Sequence, residues 1–220
     1  MFLAGSLNDS FTELGKRFET DNPGVTVKFN STAASADLAS QIVAGTPADV
    51  FASAGDAGMK TLTDAMKADG SPVIFATNVL EIATAPGNPK GIGSLADLAK
   101  PGVKVAVCEP KAACGVAAVQ VEQAGGLTLT SASEEASLKA VISKVTTGGA
   151  DAGLVYITDV VAAKATVQGV MFPESSKAVT NYPIAVVKGA AQADLAKKFV
   201  QLVTGSTGQT TLKTAGFGTK

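Results

Sequence analysis

Ser6 and Ser35 each stand where an apolar run passes into a helix-like pattern, in FLAGSLNDSF and VKFNSTAASADLASQI. A serine at such a corner can cap the helix that follows, and the first N–H groups of that helix have no acceptor within it. Hydroxyl and N–H groups together form a cradle for an anion that needs no cation. Neither serine corner contains a basic residue, so an anion there would be held by neutral donors. Each serine taken alone reads as a plain N-cap; two of them at successive strand ends point to binding. Tyr156, one of two tyrosines, closes the run GLVY just before a helix start at Thr158-Asp159. It is either a packed core residue with an incidental hydroxyl or one more donor.

Catalytic chemistry lacks its parts. The chain has no His, which removes Ser-His-Asp and Cys-His arrangements, and no Lys stands near Ser6 or Ser35 in sequence to make a Ser-Lys dyad. No stretch fits a phosphate-cradling P-loop or a G-x-G-x-x-G turn. Glu134-Glu135 reads as a pair of first-turn helix charges, and Asp49 in TPADVF as a residue that orders its loop, with a cation ligand as the other option. The expectation is a protein that is not an enzyme and carries no cofactor. Cys108 and Cys114 are not spaced as a redox C-x-x-C, and two thiols without His are too few for an ordinary zinc site. They read either as a disulfide closing a short loop, which suits a compartment outside the cytoplasm, or as two buried thiols.

The 220 residues carry a net charge of −1 and are 46% apolar, enough for the core of one large α/β domain or two small lobes. Scattered Lys and Arg give no footprint for nucleic acid or an anionic membrane. No apolar run approaches the roughly 20 residues that span a bilayer. Because the sequence opens almost directly inside a strand, Met1 reads as a start placed after a removed export signal or lipid anchor.

The elements that must position these groups alternate along the chain. Residues 2–4, 25–29 and 50–52 read as strands, and 7–21, 35–44 and 56–66 as helices. Right-handed crossovers then give a mostly parallel sheet, with ligands expected beyond the C-terminal strand ends, where both serine corners lie. A second set follows, with strands at 104–108, 152–156 and 170–173, helices at 114–124 and 133–147, and a helix begun by Thr158-Asp159. Amphipathic helices at 191–203 and 207–214 close the chain. Long strands near 78–86 and 181–188 bracket the middle block without a Pro/Gly/Ser-rich linker, so two lobes joined by two crossing strands are expected. Their borders fall at residues 1–80 with 184–220 for the first lobe and 81–183 for the second.

The ordered set AGSL, FNSTAASADLASQI, AGTPADVFASA, ADAGLVYITDV, NYPIAVVKG and a closing GF resembles the molybdate-binding proteins of bacterial ABC importers, over nearly the whole chain. The resemblance implies a type II periplasmic-binding-protein fold with central mixed, mostly parallel sheets and a tetrahedral oxyanion, molybdate or tungstate, closed between the lobes. It implies that Ser6 and Ser35 give hydroxyls and N–H groups, Tyr156 a hydroxyl, and the helix starts nearest Cys114 and Leu138 one backbone N–H each. Where the family usually has a small non-thiol residue, this chain has Cys114, after Cys-Glu-Pro instead of a Gly-Asp-Pro-like turn. Implied partners are a membrane permease and no nucleic acid, for a monomer outside the cytoplasm, lipid-anchored or free. The alternatives are a sulfate or other oxyanion receptor, or a small-molecule-sensing effector domain of the same fold.

Overall fold

The computed structural model of the chain describes residues 1–129 and 132–219. In chain order its elements are β1 (Phe2–Leu3), α1 (Asn8–Asp21), α2 (Ser35–Val43), β2 (Val50–Ala52), α3 (Asp56–Asp64), β3 (Ala68–Asn78), β4 (Leu80–Thr84), β5 (Val105–Cys108), α4 (Ala113–Gly125), β6 (Ala132–Glu135), α5 (Leu138–Thr146), β7 (Ala152–Tyr156), α6 (Ile157–Ala163), β8 (Gln168–Val170), β9 (Thr180–Val187), α7 (Ala193–Thr204) and α8 (Ser206–Thr214). They form two compact α/β units, Met1–Thr77 with Asn181–Lys220, and Asn78–Thr180. The chain passes from one unit to the other twice, near residues 77 and 180, along β3 and β9.

The first unit is built on a sheet of order β1-β2-β9-β3, in which β1 and β2 are parallel and β9 runs against β2. Strand alternation sorts its side chains into two cores. Val50 and Ala52 of β2, with Ile184 and Val186 of β9, pack against Phe11, Leu14 and Phe199 of α1 and α7. Phe51, Ala185 and Val187 face the other way, onto Leu38, Ile42, Met59 and Leu62 of α2 and α3. Burial on both faces is why these strands are continuously apolar in sequence. The second unit has the sheet order β6-β5-β7-β4-β8; β6, β5 and β7 are parallel, while β4 runs against both β7 and β8. Its core gathers Leu80, Ile82, Val105, Val121, Val141 and Leu154.

The structure departs from the sequence expectations at five places, each for an identifiable reason. Residues 25–29 are not a strand. Val25, Val27 and Phe29 pack on the core as expected, but the Val27 N–H donates to Glu19 Oε1 at 2.7 Å, and the ladder contact next to this segment is a bridge between Asn30 and Phe2. β3 has no counterpart among the expected strands, since Gly70 and Pro72 interrupt its pattern; its place at the end of the sheet order tolerates a residue without an N–H. The strand expected at 78–86 is split between the end of β3 and the shorter β4. Of the helix expected at 133–147, only α5 is helical. Ser133 to Glu135 pair in parallel with β5, so Glu134-Glu135 lies on a strand and not in a first helical turn. The strand expected at 170–173 is β8, ending at Val170, because Pro173 opens a 3-10 turn.

Cys108 and Cys114 form a disulfide, which joins the last residue of β5 to the second residue of α4. Both are buried. The loop it closes is short, so replacing both cysteines by Ala should lower the stability to urea by about 2 kcal/mol. A denaturation midpoint unchanged by the double replacement would show that the bridge constrains nothing that folding does not already order.

Candidate functional site

In the first unit, the expected donors gather at one edge of the sheet. β1 and β2 run parallel with Leu3 opposite Ala52, and Asn30 bridges Phe2 in the same direction. The chain therefore leaves all three segments at one end. After β1 comes the 3-10 turn Gly5–Leu7, which places Ser6 just before α1. After Asn30, whose side-chain oxygen accepts from the Thr32 N–H and hydroxyl at 3.3 and 2.8 Å, the corner ends at Ser35, the first residue of α2. After β2, the Ala54 N–H donates to Ser35 Oγ at 3.0 Å. Ser35 is thus no cap of its own helix: its oxygen serves the neighbouring strand's exit, and its proton is left to donate. Gly58 of α3 lets this corner close, because a Cβ there would come within 2.9 Å of the Ser35 carbonyl oxygen. Ser6 Oγ lies 3.0 Å from the hydroxyl of Tyr182 on β9.

The second unit repeats the arrangement. β6, β5 and β7 are parallel neighbours, so the starts of α4, α5 and α6 share one edge. Cys114 is the second residue of α4, where the N–H has no acceptor in the helix. The loop before it is held by the disulfide, by the Glu109 N–H donating to the Glu135 carbonyl at 2.9 Å, and by Gly115, where any Cβ would overlap the Glu109 carbonyl oxygen. Lys111 in this loop pairs with Glu109 at 2.8 Å. Leu138 is the first residue of α5, capped by Ser137, whose Oγ accepts from the Ala140 N–H at 3.2 Å. Tyr156 ends β7, is 1% exposed, and places its hydroxyl 2.9 Å from Thr180 Oγ1.

Burial keeps the Tyr156 phenol protonated. It pushes the pKa up to about 12, a hydrogen bond with Thr180 pulls the other way, and the charge of Asp159 raises it further. At neutral pH the hydroxyl is a donor. Asp159, in the first turn of α6, accepts the Tyr156 N–H at 3.0 Å, yet burial outweighs that bond and raises its pKa from 3.8 to about 6.

The positions that motif reading did not single out are the partners of these donors: Ala54, Thr180 and Tyr182. Thr180 and Tyr182 did leave a trace, as two hydroxyl residues on alternate positions at the start of TNYPIAVV. Asp49 Oδ1 accepts the Gln192 N–H at 3.0 Å, a bond that ties the loop before β2 to the start of α7. A cavity of 530 Å³ opens in the first unit, lined by Met1, Lys28, Asp49, Lys67 and Lys188 among others. It lies where β1 and β2 begin and β9 ends, the opposite edge from the serines. Among the described residues no group of His, Cys, Asp or Glu is placed to hold a metal ion.

This architecture, two α/β units crossed twice by the chain, is that of the type II periplasmic binding proteins. The periplasmic molybdate-binding protein of Azotobacter vinelandii superimposes with a TM-score of 0.82 at 24% identity, covering 100% of this chain and 98% of that one. The sulfate-binding protein SubI of Mycobacterium tuberculosis gives 0.83 at 22% identity, covering 98% and 84%. A family model described as bacterial extracellular solute-binding protein matches residues 1–218, and the molybdate-binding protein ModA of Mycobacterium bovis is 46% identical over 217 residues, 99% of this chain and 83% of that protein. The chain belongs to the bacterial extracellular solute-binding protein family.

Asp159 offers a test of the local electrostatics. Between pH 3.8 and about 6 the native carboxyl holds a proton that the unfolded chain has released, so its contribution to stability falls as pH rises through that window. Asp159→Asn should remove this component. The difference in unfolding free energy between wild type and variant should shift steadily in the variant's favour from pH 4 to 6, and a difference independent of pH would contradict the assigned burial effect.

Proposed function

We propose that this protein is a non-enzymatic receptor that captures molybdate or tungstate outside the cytoplasm and delivers it to the permease of an ABC importer. Ser6 and Ser35 of the first unit, with Tyr156 and the N–H groups near Cys114 and Leu138 of the second, take one anion. The observation that carries the reading is chemical: in both units parallel strands lead, at one sheet edge, into hydroxyls and first-turn N–H groups. The serine corners hold no basic residue, and Lys111 is already ion-paired. The relative named as a molybdate-binding protein supports the choice of anion.

Such a donor set suits an anion that carries no proton at neutral pH. Molybdate, tungstate and sulfate meet that condition, whereas hydrogen phosphate brings a proton that needs an acceptor. Two serines giving hydroxyl and N–H, two further N–H groups and one phenol make about seven hydrogen bonds, each worth roughly 1.5–3 kcal/mol to a charged partner. After the costs of association and desolvation, that is enough for micromolar to nanomolar affinity. Helix N-termini add positive potential without a countercharge. An anion held by donors of both units favours one arrangement of them, which a permease can read. Anchorage through a lipid and a monomeric state complete the proposed picture.

Calorimetric titration with molybdate, tungstate, sulfate and phosphate at one pH tests it. Molybdate and tungstate should bind at least tenfold more tightly than sulfate, and phosphate should not bind. Tight sulfate binding without molybdate binding would make the protein a sulfate receptor, and no binding by any of the four would sink the oxyanion reading. Ser6→Ala combined with Ser35→Ala should weaken molybdate binding by about a hundredfold or more while leaving a cooperative unfolding transition.

A further inference from the structure

A dianion without a proton accepts hydrogen bonds and donates none. A hydroxyl that serves it must aim its single proton at the anion, and any other group bonded to that oxygen must then be the donor. Ser35 meets this condition outright, because its Oγ accepts the Ala54 N–H. Ser6 and Tyr156 meet another hydroxyl instead, Tyr182 at 3.0 Å and Thr180 at 2.9 Å, and in each pair either oxygen can donate. Both partners are buried, Tyr182 completely. The Tyr182 ring is held edge-on by Phe75 and Phe217, with centroids 6.4 and 5.1 Å away. The GF near the C-terminus therefore has a physical task, since Phe217 packs against the ring that carries this hydroxyl.

Resting on the oxyanion reading above, we propose that Thr180 and Tyr182 are positioning residues for the ligand hydroxyls: Tyr182 donates to Ser6 and Thr180 donates to Tyr156, so that Ser6 and Tyr156 present their own protons to the anion. Neither residue touches the ligand. Each fixes the direction of a hydrogen bond that could otherwise run the wrong way, with the acceptor lone pair facing a negative charge. The two sit on alternate positions of β9, one in each unit, so a single strand orients a ligand hydroxyl in both.

The test is calorimetric titration of molybdate into Tyr182→Phe and Thr180→Val, each alone and each in the Ser6→Ala and Tyr156→Phe backgrounds. Both substitutions nearly keep side-chain volume and remove the hydroxyl. Each should raise Kd roughly three- to tenfold. The loss from Tyr182→Phe should vanish in Ser6→Ala and persist in Tyr156→Phe, the loss from Thr180→Val should do the reverse, and Thr180→Ser should bind like wild type. An unchanged Kd in either single variant, or a loss of equal size in both backgrounds, would overturn the proposal, the second result marking a merely structural role. If wild type binds no oxyanion, the anion reading itself falls; if it binds tightly without this coupling, only the positioning role falls.

Discussion

Because each N–H in an α-helix bonds to a carbonyl four residues back, the N–H groups of the first turn are left without an acceptor in the helix, and this chain collects that deficit at the ends of parallel strands. α4, α5 and α6 begin at one edge of the second sheet, and α2 and the turn holding Ser6 begin at one edge of the first. Parallel pairing makes this gathering automatic: strands that run the same way end at the same edge, and each must be followed by something that turns back. A row of unsatisfied donors is costly when dry and attractive to an anion when open. The proposed ligand supplies the acceptor that the fold withholds.

What surrounds the donors is arranged to leave them donors. Ser35 gives its lone pair to the Ala54 N–H and keeps its proton. Burial holds the Tyr156 phenol protonated far above neutral pH. The Cys108–Cys114 disulfide, the Glu109 to Glu135 bond and the close approach at Gly115 hold the turn from which α4 starts. Preorganisation of this kind lowers the ordering cost that binding would otherwise meet. Its cost appears in the Asp159 carboxyl, buried enough to sit well above its ordinary pKa while it orders the Tyr156 backbone.

Much of this was legible because the signals were local. Apolar runs of three to eight residues followed by 3.6-period patterns located β2, β5, β7, β9 and most helices, and the Ser-rich corners were visible as breaks between them. Legibility failed where a neighbour far along the chain decided the outcome. Residues 25–29 have the alternation of a strand, yet the Glu19 carboxylate takes the Val27 N–H that a ladder would need. Ser133 to Glu135 look like the acidic start of a helix, yet β5 offers a free edge and they pair with it. β3 carries a glycine that weakens a strand and a proline that argues against a central one; its place at the end of the sheet order makes it admissible.

The amino-acid sequence by itself determined the class of chemistry. The chain has no His, and its serines, a tyrosine and helix starts at strand ends give a supply of neutral hydrogen-bond donors. Side-chain type and local periodicity suffice for that. Only the tertiary structure decided how each donor is satisfied and which way its hydrogen bond can run. The partners of Ser6, Ser35 and Tyr156 lie 176, 19 and 24 residues away in the chain. A hydrogen bond is a matter of distances near 3 Å and of angles, and those are set by sheet register and core packing, which no local window contains.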